Sequence, residues 1–234
     1  MKARISRRRV LALSSAAGAM SAIPAWAEKL RRTPTQVLGP FYPMQKPLDQ
    51  DADLTMIRGR SGHASGQVVH IAGRVLNAEG KPLPAIQIEI WQANSYGRYT
   101  HPNDQHDAPL DPNFEGYCLL TTDDEGRYRF KTVKPGAYPV DGGMRAPHIH
   151  FDVRGKINRV LTQMYFPNEP LNDSDTILNL AGKRRSSLIV DVQRSLPGVA
   201  SGEWLAQWHT ELTAGQPLTL HGFADISLPG EVDQ

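Results

Sequence analysis

The stretch PHIHFDV, residues 147–153, alternates polar and apolar side chains along its length. Successive side chains of a β-strand point to opposite faces of a sheet, so this pattern predicts a strand. The apolar residues would enter a core, while His148 and His150 would lie together on the other face. Two imidazoles at this spacing form a recurring metal-binding geometry, although two polar residues on a solvated strand face would give the same pattern.

Five further short runs of strand-like composition flank this stretch, and turn sequences such as Asp-Asp-Glu-Gly at 123–126 separate them. The best helix candidate begins near 173–175 and continues through Leu180. We therefore predict an all-β fold, an antiparallel β-sandwich with long loops and little helix. An irregular arm at 28–66 is expected to pack on this core, and 67–234 form the sandwich domain. The predicted strands cover 68–76, 86–91, 128–132, 149–153, 161–166 and 218–228.

The composition is that of an ordinary globular protein. Of 234 residues, 40% are hydrophobic and 21% are charged, which argues against a disordered or fibrous chain. The single cysteine, Cys118, excludes an internal disulfide framework and a cysteine-based zinc cluster.

Residues 1–27 are predicted to be an export signal of the twin-arginine type. The paired arginines of Ser6-Arg7-Arg8-Arg9 precede a mild apolar run, and Ala25-Trp26-Ala27 provides an A-x-A cleavage pattern. The apolar run is too short to span a membrane. An ordinary secretory leader or an uncleaved anchor is the alternative. We expect a periplasmic or secreted protein with no membrane association after cleavage.

The basic residues of the leader also account for the net charge of the chain. The leader contains five basic residues, Lys2, Arg4, Arg7, Arg8 and Arg9. Without them, 21 basic residues remain against 24 acidic ones. The mature chain therefore has no basic footprint for a nucleic-acid partner.

Two tyrosines, Tyr99 and Tyr138, lie in loops that border the predicted strands. A phenol has a pKa near 10, so it ligates as phenolate at neutral pH only when a strong Lewis acid removes its proton. Ferric iron does this readily. For each tyrosine alone, a partly buried loop aromatic is the simpler interpretation.

A zinc hydrolase built on the two histidines would need a further ligand, and Asp152 is the only candidate nearby. The other histidines are expected on the surface or in loops: His63, His70, His101, His106, His209 and His221.

A series of ordered sequence blocks resembles the intradiol ring-cleavage dioxygenases, most closely the β-subunit type of protocatechuate 3,4-dioxygenase. The resemblance is strong over about residues 68–170. The blocks include Glu89-Ile90-Trp91-Gln92-Ala93-Asn94, Gly97-Arg98-Tyr99, Lys134-Pro135-Gly136-Ala137-Tyr138-Pro139, Arg145-Ala146-Pro147-His148-Ile149-His150-Phe151 and Thr162-Gln163-Met164-Tyr165-Phe166.

This resemblance implies one non-haem ferric ion, Fe(3+), bound by Tyr99, Tyr138, His148 and His150. It implies that Tyr138 is the ligand displaced when a catechol chelates the iron. It also places a substrate-facing guanidinium on Arg145 and a polar amide on Gln163. The implied reaction uses O2 to cleave a catechol-type ring, protocatechuate or a relative, between its hydroxyl-bearing carbons, giving a cis,cis-muconate.

Departures from the family pattern affect the substrate and the partners. Val140 stands where the protocatechuate enzymes usually have a tryptophan, which predicts a wider ring pocket. Those enzymes pair β-type with α-type chains, so a homo-oligomer or an α-type partner subunit is expected.

A non-catalytic periplasmic β-sandwich that binds sugars or proteins is the alternative function, and it would need no tyrosine ligands.

Overall fold

The computed structural model describes residues 30–193 and 220–228, and their secondary structure is mostly β. The strands are β1 Val68–Leu76, β2 Gln87–Trp91, β3 Tyr117–Thr121, β4 Arg127–Val133, β5 Tyr138–Val140, β6 Gly143–Arg145, β7 His148–Arg154, β8 Arg159–Tyr165, β9 Val192–Gln193, β10 Leu220–Phe223 and β11 Ile226–Ser227. In these described ranges, the helical segments are 3-10 turns at Pro170–Asp173 and Gly182–Leu188 and one α-helix, α1, at Thr176–Asn179.

Two sheets form the two layers of a sandwich. One sheet has the order β3-β2-β7-β8 with antiparallel pairing throughout. In the other, β1 lies between β4 on one side and β10 and β11 on the other, with β9 beyond β10. Apolar side chains from both sheets share one core, for example Ile71 and Phe130 from one and Ile88 and Phe151 from the other. The predicted all-β sandwich with little helix is confirmed.

Several boundaries differ from the prediction. The predicted strand at 218–228 is two short strands, β10 and β11, interrupted at Ala224 and Asp225; residues 218 and 219 lie outside the described residues. Both strands run parallel to β1, which departs from a purely antiparallel sandwich. Strands β3, β5, β6 and β9 were not predicted. Of these, β5, β6 and β9 have only two or three residues each, too few to show an alternating pattern. The helix is shorter than expected, because 173–175 form a 3-10 turn and the N-cap.

Residues 30–66 contain no strand but contact both sheets. The Leu54 amide donates to the Lys131 carbonyl of β4, and the Gln36 amide donates to the Leu161 carbonyl of β8. The segment around residues 36–42 therefore crosses the outer face of the β3-β2-β7-β8 sheet, where Leu38, Phe41 and Tyr42 pack against buried aromatic rings. This outer face carries the site.

The predicted export signal at 1–27 lies outside the described residues. No helix in the described ranges combines the length and apolar character needed to cross a bilayer.

Candidate metal centre

The register of β2, β7 and β8 places the polar side chains of β7 on the outer face of the sheet. His150 pairs with Trp91 on β2 and with Gln163 on β8, and His148 pairs with Tyr165. The intervening residues Ile149 and Phe151 are fully buried in the sandwich core. The alternation in the sequence therefore predicted the correct face for both histidines.

The two histidines lie close together and are buried. Their Nε2 atoms are 3.2 Å apart, and each residue is 2% exposed. His148 Nδ1 donates a hydrogen bond to the Ala146 carbonyl at 2.6 Å, which leaves its Nε2 as the lone-pair nitrogen. Burial, together with the positive charge of Arg145, holds the pKa of His148 well below its usual range. Both imidazoles are therefore neutral at neutral pH, because burial also lowers the pKa of His150.

The rings of Tyr99 and Tyr138 close the site opposite the histidines. Tyr138 Oη lies 3.3 Å from His148 Nε2, and the two tyrosine rings are perpendicular with centroids 5.3 Å apart. The Tyr99 hydroxyl is buried and makes no hydrogen bond of normal geometry with any of the described residues. Burial raises the pKa of both phenols, so neither ionises at neutral pH without a nearby cation. Tyr99 lies in a loop as predicted, whereas Tyr138 begins the short strand β5.

Glycines bring the two tyrosine segments together. Gly97 has a φ of +82°, and a Cβ there would lie 2.1 Å from the Ala137 carbonyl oxygen. A Cβ on Gly136 would lie 2.4 Å from the Gly97 nitrogen. Because only glycine permits this backbone approach, the loop of Tyr99 and the segment before Tyr138 are held against each other.

The donor set fits one metal ion. Two donors bound at right angles, each about 2.1 Å from an ion, lie about 3 Å apart. The separations of His148 Nε2 from His150 Nε2 and from Tyr138 Oη, 3.2 and 3.3 Å, match that spacing. Within residues 30–193 and 220–228, no group of three or more His, Cys, Asp or Glu side chains could hold a metal. A metal at this place would therefore need tyrosine oxygens.

Asp152, the carboxylate considered as a zinc ligand, forms ion pairs with two arginines instead. Asp152 accepts hydrogen bonds from Arg154 and Arg159, with Arg159 Nε 2.6 Å from its Oδ1. This arrangement does not support a zinc site built from the two histidines and Asp152.

Among the other histidines, His70 is 1% exposed and lies within β1, so its predicted surface or loop position is wrong.

Arg145 lies beside the tyrosines and is buried, with 4% exposure. Its Nε donates to Asp175 Oδ2 at 2.9 Å, and its Nη2 donates to Gln163 Oε1 at 2.7 Å and to the Tyr165 hydroxyl at 3.0 Å. The structure thus joins Arg145 and Gln163 directly. The sequence reasoning missed Tyr165 and Asp175. Tyr165 could have been found, because it lies two residues beyond Gln163 on the same strand face.

The segment around residues 36–42 covers the site from above. A Cβ on Gly39, whose φ is +76°, would lie 3.2 Å from His150 Cε1. The Phe41 ring packs on Tyr99 with centroids 4.8 Å apart, and Trp91 stacks on His150 at 4.6 Å. Gln163 Nε2 donates to the Val37 carbonyl, which ties this segment to β8. Aromatic rings and backbone therefore enclose the donors.

Comparisons with known proteins identify the family. The family model described as Dioxygenase matches residues 37–208, well over half of the chain. The chain belongs to the intradiol ring-cleavage dioxygenases. It is 43% identical over 173 residues to the protocatechuate 3,4-dioxygenase beta chain of Burkholderia cepacia, a match that covers 66% of this chain and 72% of the relative. The predicted family is confirmed, and with it an enzyme of the intradiol ring-cleavage type; the alternative of a non-catalytic binding module finds no support in these matches.

Two further relatives extend the comparison. The alpha chain of the Burkholderia cepacia enzyme is 30% identical over 179 residues, covering 72% of this chain and 87% of the relative. The crystal structure of 3-chlorocatechol 1,2-dioxygenase from Rhodococcus opacus 1CP superposes with a TM-score of 0.63 at 21% identity, covering 88% of this chain and 76% of that one. The likeness to the latter supports the fold. The chain spans about half the length of the curated catechol and hydroxyquinol 1,2-dioxygenases that it also matches.

Proposed function

We propose that this intradiol dioxygenase binds one ferric ion through Tyr99, Tyr138, His148 and His150 and cleaves a catechol with O2 to a cis,cis-muconate. The observation that carries the proposal is that His150 Nε2 and Tyr138 Oη lie 3.2 and 3.3 Å from His148 Nε2. Among the described residues, no cluster of carboxylates or thiols offers a competing metal site. Phenolate oxygens favour a hard trivalent ion.

Bound ferric iron would act as a Lewis acid toward the catechol oxygens and would make a ring carbon open to attack by oxygen. A catechol that binds as a dianion must release two protons. Tyr138, as a phenolate, would accept one of them at Oη, which lies 3.3 Å from His148 Nε2 in the donor cluster. A hydroxide ion from solvent would take the other and leave as water. His148 stays fixed through its Nδ1 bond to the Ala146 carbonyl.

Arg145 is the cation that faces negative charge developing on the ring. Its Nε and Nη2 are engaged by protein acceptors, and none of the hydrogen bonds in the described part of the chain uses Nη1. A fixed cation in a water-poor pocket stabilises such charge strongly. Gln163 holds this guanidinium and also the Val37 carbonyl, so it fixes the arginine against the covering segment.

The test is aerobic incubation of the iron-loaded chain, purified without any partner, with catechol, protocatechuate and hydroxyquinol in parallel. We expect oxygen uptake in step with the ultraviolet absorbance of a muconate for at least one of the three. Ring-opened product of another type, or no uptake with any substrate whether or not an α-type chain is added, would contradict the proposal. The preferred substrate identifies the ring substituent that the pocket beside Val140 accepts.

The same experiment addresses the partner subunit. We propose that the chain needs no α-type partner to build its pocket, because Gly39 and Phe41 of the same chain already cover His150 and Tyr99. Activity that appears only after addition of a second type of chain would contradict this. A homo-oligomer is compatible with either result, and light scattering of the active protein measures it.

We also propose that the protein is exported by its twin-arginine leader. The support is the run Ser6-Arg7-Arg8-Arg9 followed by a mild apolar stretch. Replacing all three arginines by lysine should retain the protein in the cytoplasm. An unchanged periplasmic yield would contradict this route.

A further inference from the structure

Asp175 is a buried carboxylate that lies far in sequence from the residues of the metal centre. It is 0% exposed and forms the N-cap of α1, where its Oδ1 accepts a hydrogen bond from the Leu178 amide at 2.9 Å. The cap uses only this one oxygen. Serine, threonine or asparagine would serve equally well at such a position, so the cap alone does not explain a buried negative charge.

The second oxygen of Asp175 is directed to the substrate-facing segment. Oδ2 accepts from Arg145 Nε at 2.9 Å and from the Ala146 amide at 2.9 Å. Three hydrogen bonds therefore fix one carboxylate between a helix terminus and the end of β6. The side chain has little freedom to rotate, and the position of Nε is fixed with it.

The charge of Asp175 is matched to that of Arg145. The other partners of the guanidinium, the Gln163 amide oxygen and the Tyr165 hydroxyl, are neutral. Among the described residues, the ion pair of Arg145 is with Asp175, and both side chains are buried. A buried guanidinium without an anion is costly, so without Asp175 the arginine would tend to leave this orientation.

A guanidinium is planar and rigid, so its donors point in fixed directions. With Nε held by Asp175 and Nη2 held by Gln163 and Tyr165, the direction of Nη1 is determined. We propose that Asp175 is a positioning residue, which holds Arg145 so that Nη1 is presented to the negatively charged ring of the bound substrate. This inference rests on the proposed function.

The test compares four proteins: wild type, Arg145→Met, Asp175→Asn and the double variant. Asparagine keeps an oxygen for the Leu178 cap but places an amide opposite two N–H donors. We expect Asp175→Asn to keep the iron content of the wild type and to lower kcat/KM by about 10- to 100-fold, the loss typical when a residue that orients a site is removed. The loss should appear in both KM and kcat, because the catecholate already carries negative charge when it binds and more charge develops on the ring during the reaction.

The double variant separates positioning from a merely structural role. If Asp175 acts through Arg145, adding Asp175→Asn to Arg145→Met should cause no further loss of kcat/KM. If the two losses multiply, or if Asp175→Asn retains full kcat/KM, the proposal is overturned. Asp175→Ser, which also keeps the helix cap, should reproduce the result of Asp175→Asn. Asp173→Asn is the matched control, since Asp173 is exposed and pairs with Arg185; its kcat/KM should equal that of the wild type.

Two measurements keep the outcome separate from that of the proposed function. Absence of ring cleavage by the wild type would reject the function itself. In anaerobic titration with catechol, Asp175→Asn and the double variant should bind as weakly as Arg145→Met, whereas wild-type affinity in Asp175→Asn would overturn the positioning role. Urea unfolding of the metal-free proteins should likewise show non-additive losses for the two substitutions, and additive losses would contradict a direct pairing.

Discussion

β7 and the β5–β6 hairpin both bring donors to the proposed metal centre, but they are held in different ways. β7 pairs along its length with β8 and along five residues with β2. The hairpin forms only three residue pairs, and Tyr138 and Arg145 lie opposite each other at its open end. The histidines therefore belong to the rigid sheet, while Tyr138 lies on a short element that depends on glycine contacts and on Asp175. This difference suits two permanent ligands and one ligand that leaves.

The largest expected effect comes from the histidines of β7. His148→Ala or His150→Ala removes a permanent ligand and should abolish most iron binding, with metal affinity reduced by more than about 100-fold. Iron content per chain after purification measures this. His63→Ala, in the segment before β1, is the control and should retain iron. Normal iron content in both site variants would show that the histidines are not ligands.

Tyr138→Phe tests the ligand that is proposed to leave when a catechol binds. We expect this variant to retain iron through the other three residues while turnover falls by about 100-fold, as for the loss of a group that accepts a proton. Iron content and steady-state kcat are measured on the same sample. Full turnover with normal iron would make Tyr138 an ordinary buried aromatic.

Two glycines near the tyrosines allow the stability cost of a steric clash to be measured apart from that of the left-handed backbone conformation. Gly97 and Gly142 both have positive φ, but a Cβ on Gly97 would clash with the Ala137 carbonyl, whereas Gly142 has open space. Gly142→Ala should destabilise the fold by about 1 kcal/mol for the left-handed conformation alone. Gly97→Ala should cost about 3 kcal/mol and lower iron content, because the clash adds to this. Urea unfolding measures both, and equal losses would contradict the close approach.

The smallest expected effect concerns Glu115, a partly buried residue just before β3. Burial, together with the nearby Asp49, raises the pKa of Glu115 from 4.5 to about 7. Because the folded protein holds this proton more tightly than the unfolded chain, stability is greatest below pH 4.5 for this group and falls as the pH rises to 7. Glu115→Gln should therefore raise the melting temperature at pH 8 relative to wild type and change it little at pH 4. Asp107→Asn, at an exposed position, should show no such pH-dependent gain; an equal gain there would contradict the assignment to Glu115.

The sequence alone predicted the sheet part of the site well and the rest of it less well. The face of His148 and His150 follows from the period of two, which is a local property. The convergence of Tyr99 with Tyr138 depends on the contact of Gly97 with Ala137, about 40 residues apart, and only the family resemblance pointed to it. Asp175 appeared only as a helix start, since its second oxygen binds a segment 30 residues earlier. The parallel pairing of β1 with β10 escaped prediction for the same reason, because its partners are more than 140 residues apart.

The central claim, an iron centre with tyrosine ligands, is tested most directly by the visible spectrum of the purified protein together with its metal content. We predict about one ferric ion per chain and a broad visible band from phenolate-to-iron charge transfer. Tyr99→Phe should weaken or shift this band and lower the iron content, while Tyr96→Phe, at an exposed tyrosine three residues earlier, should leave both unchanged. A colourless wild-type protein that holds zinc, or a band that survives Tyr99→Phe unaltered, would contradict the account.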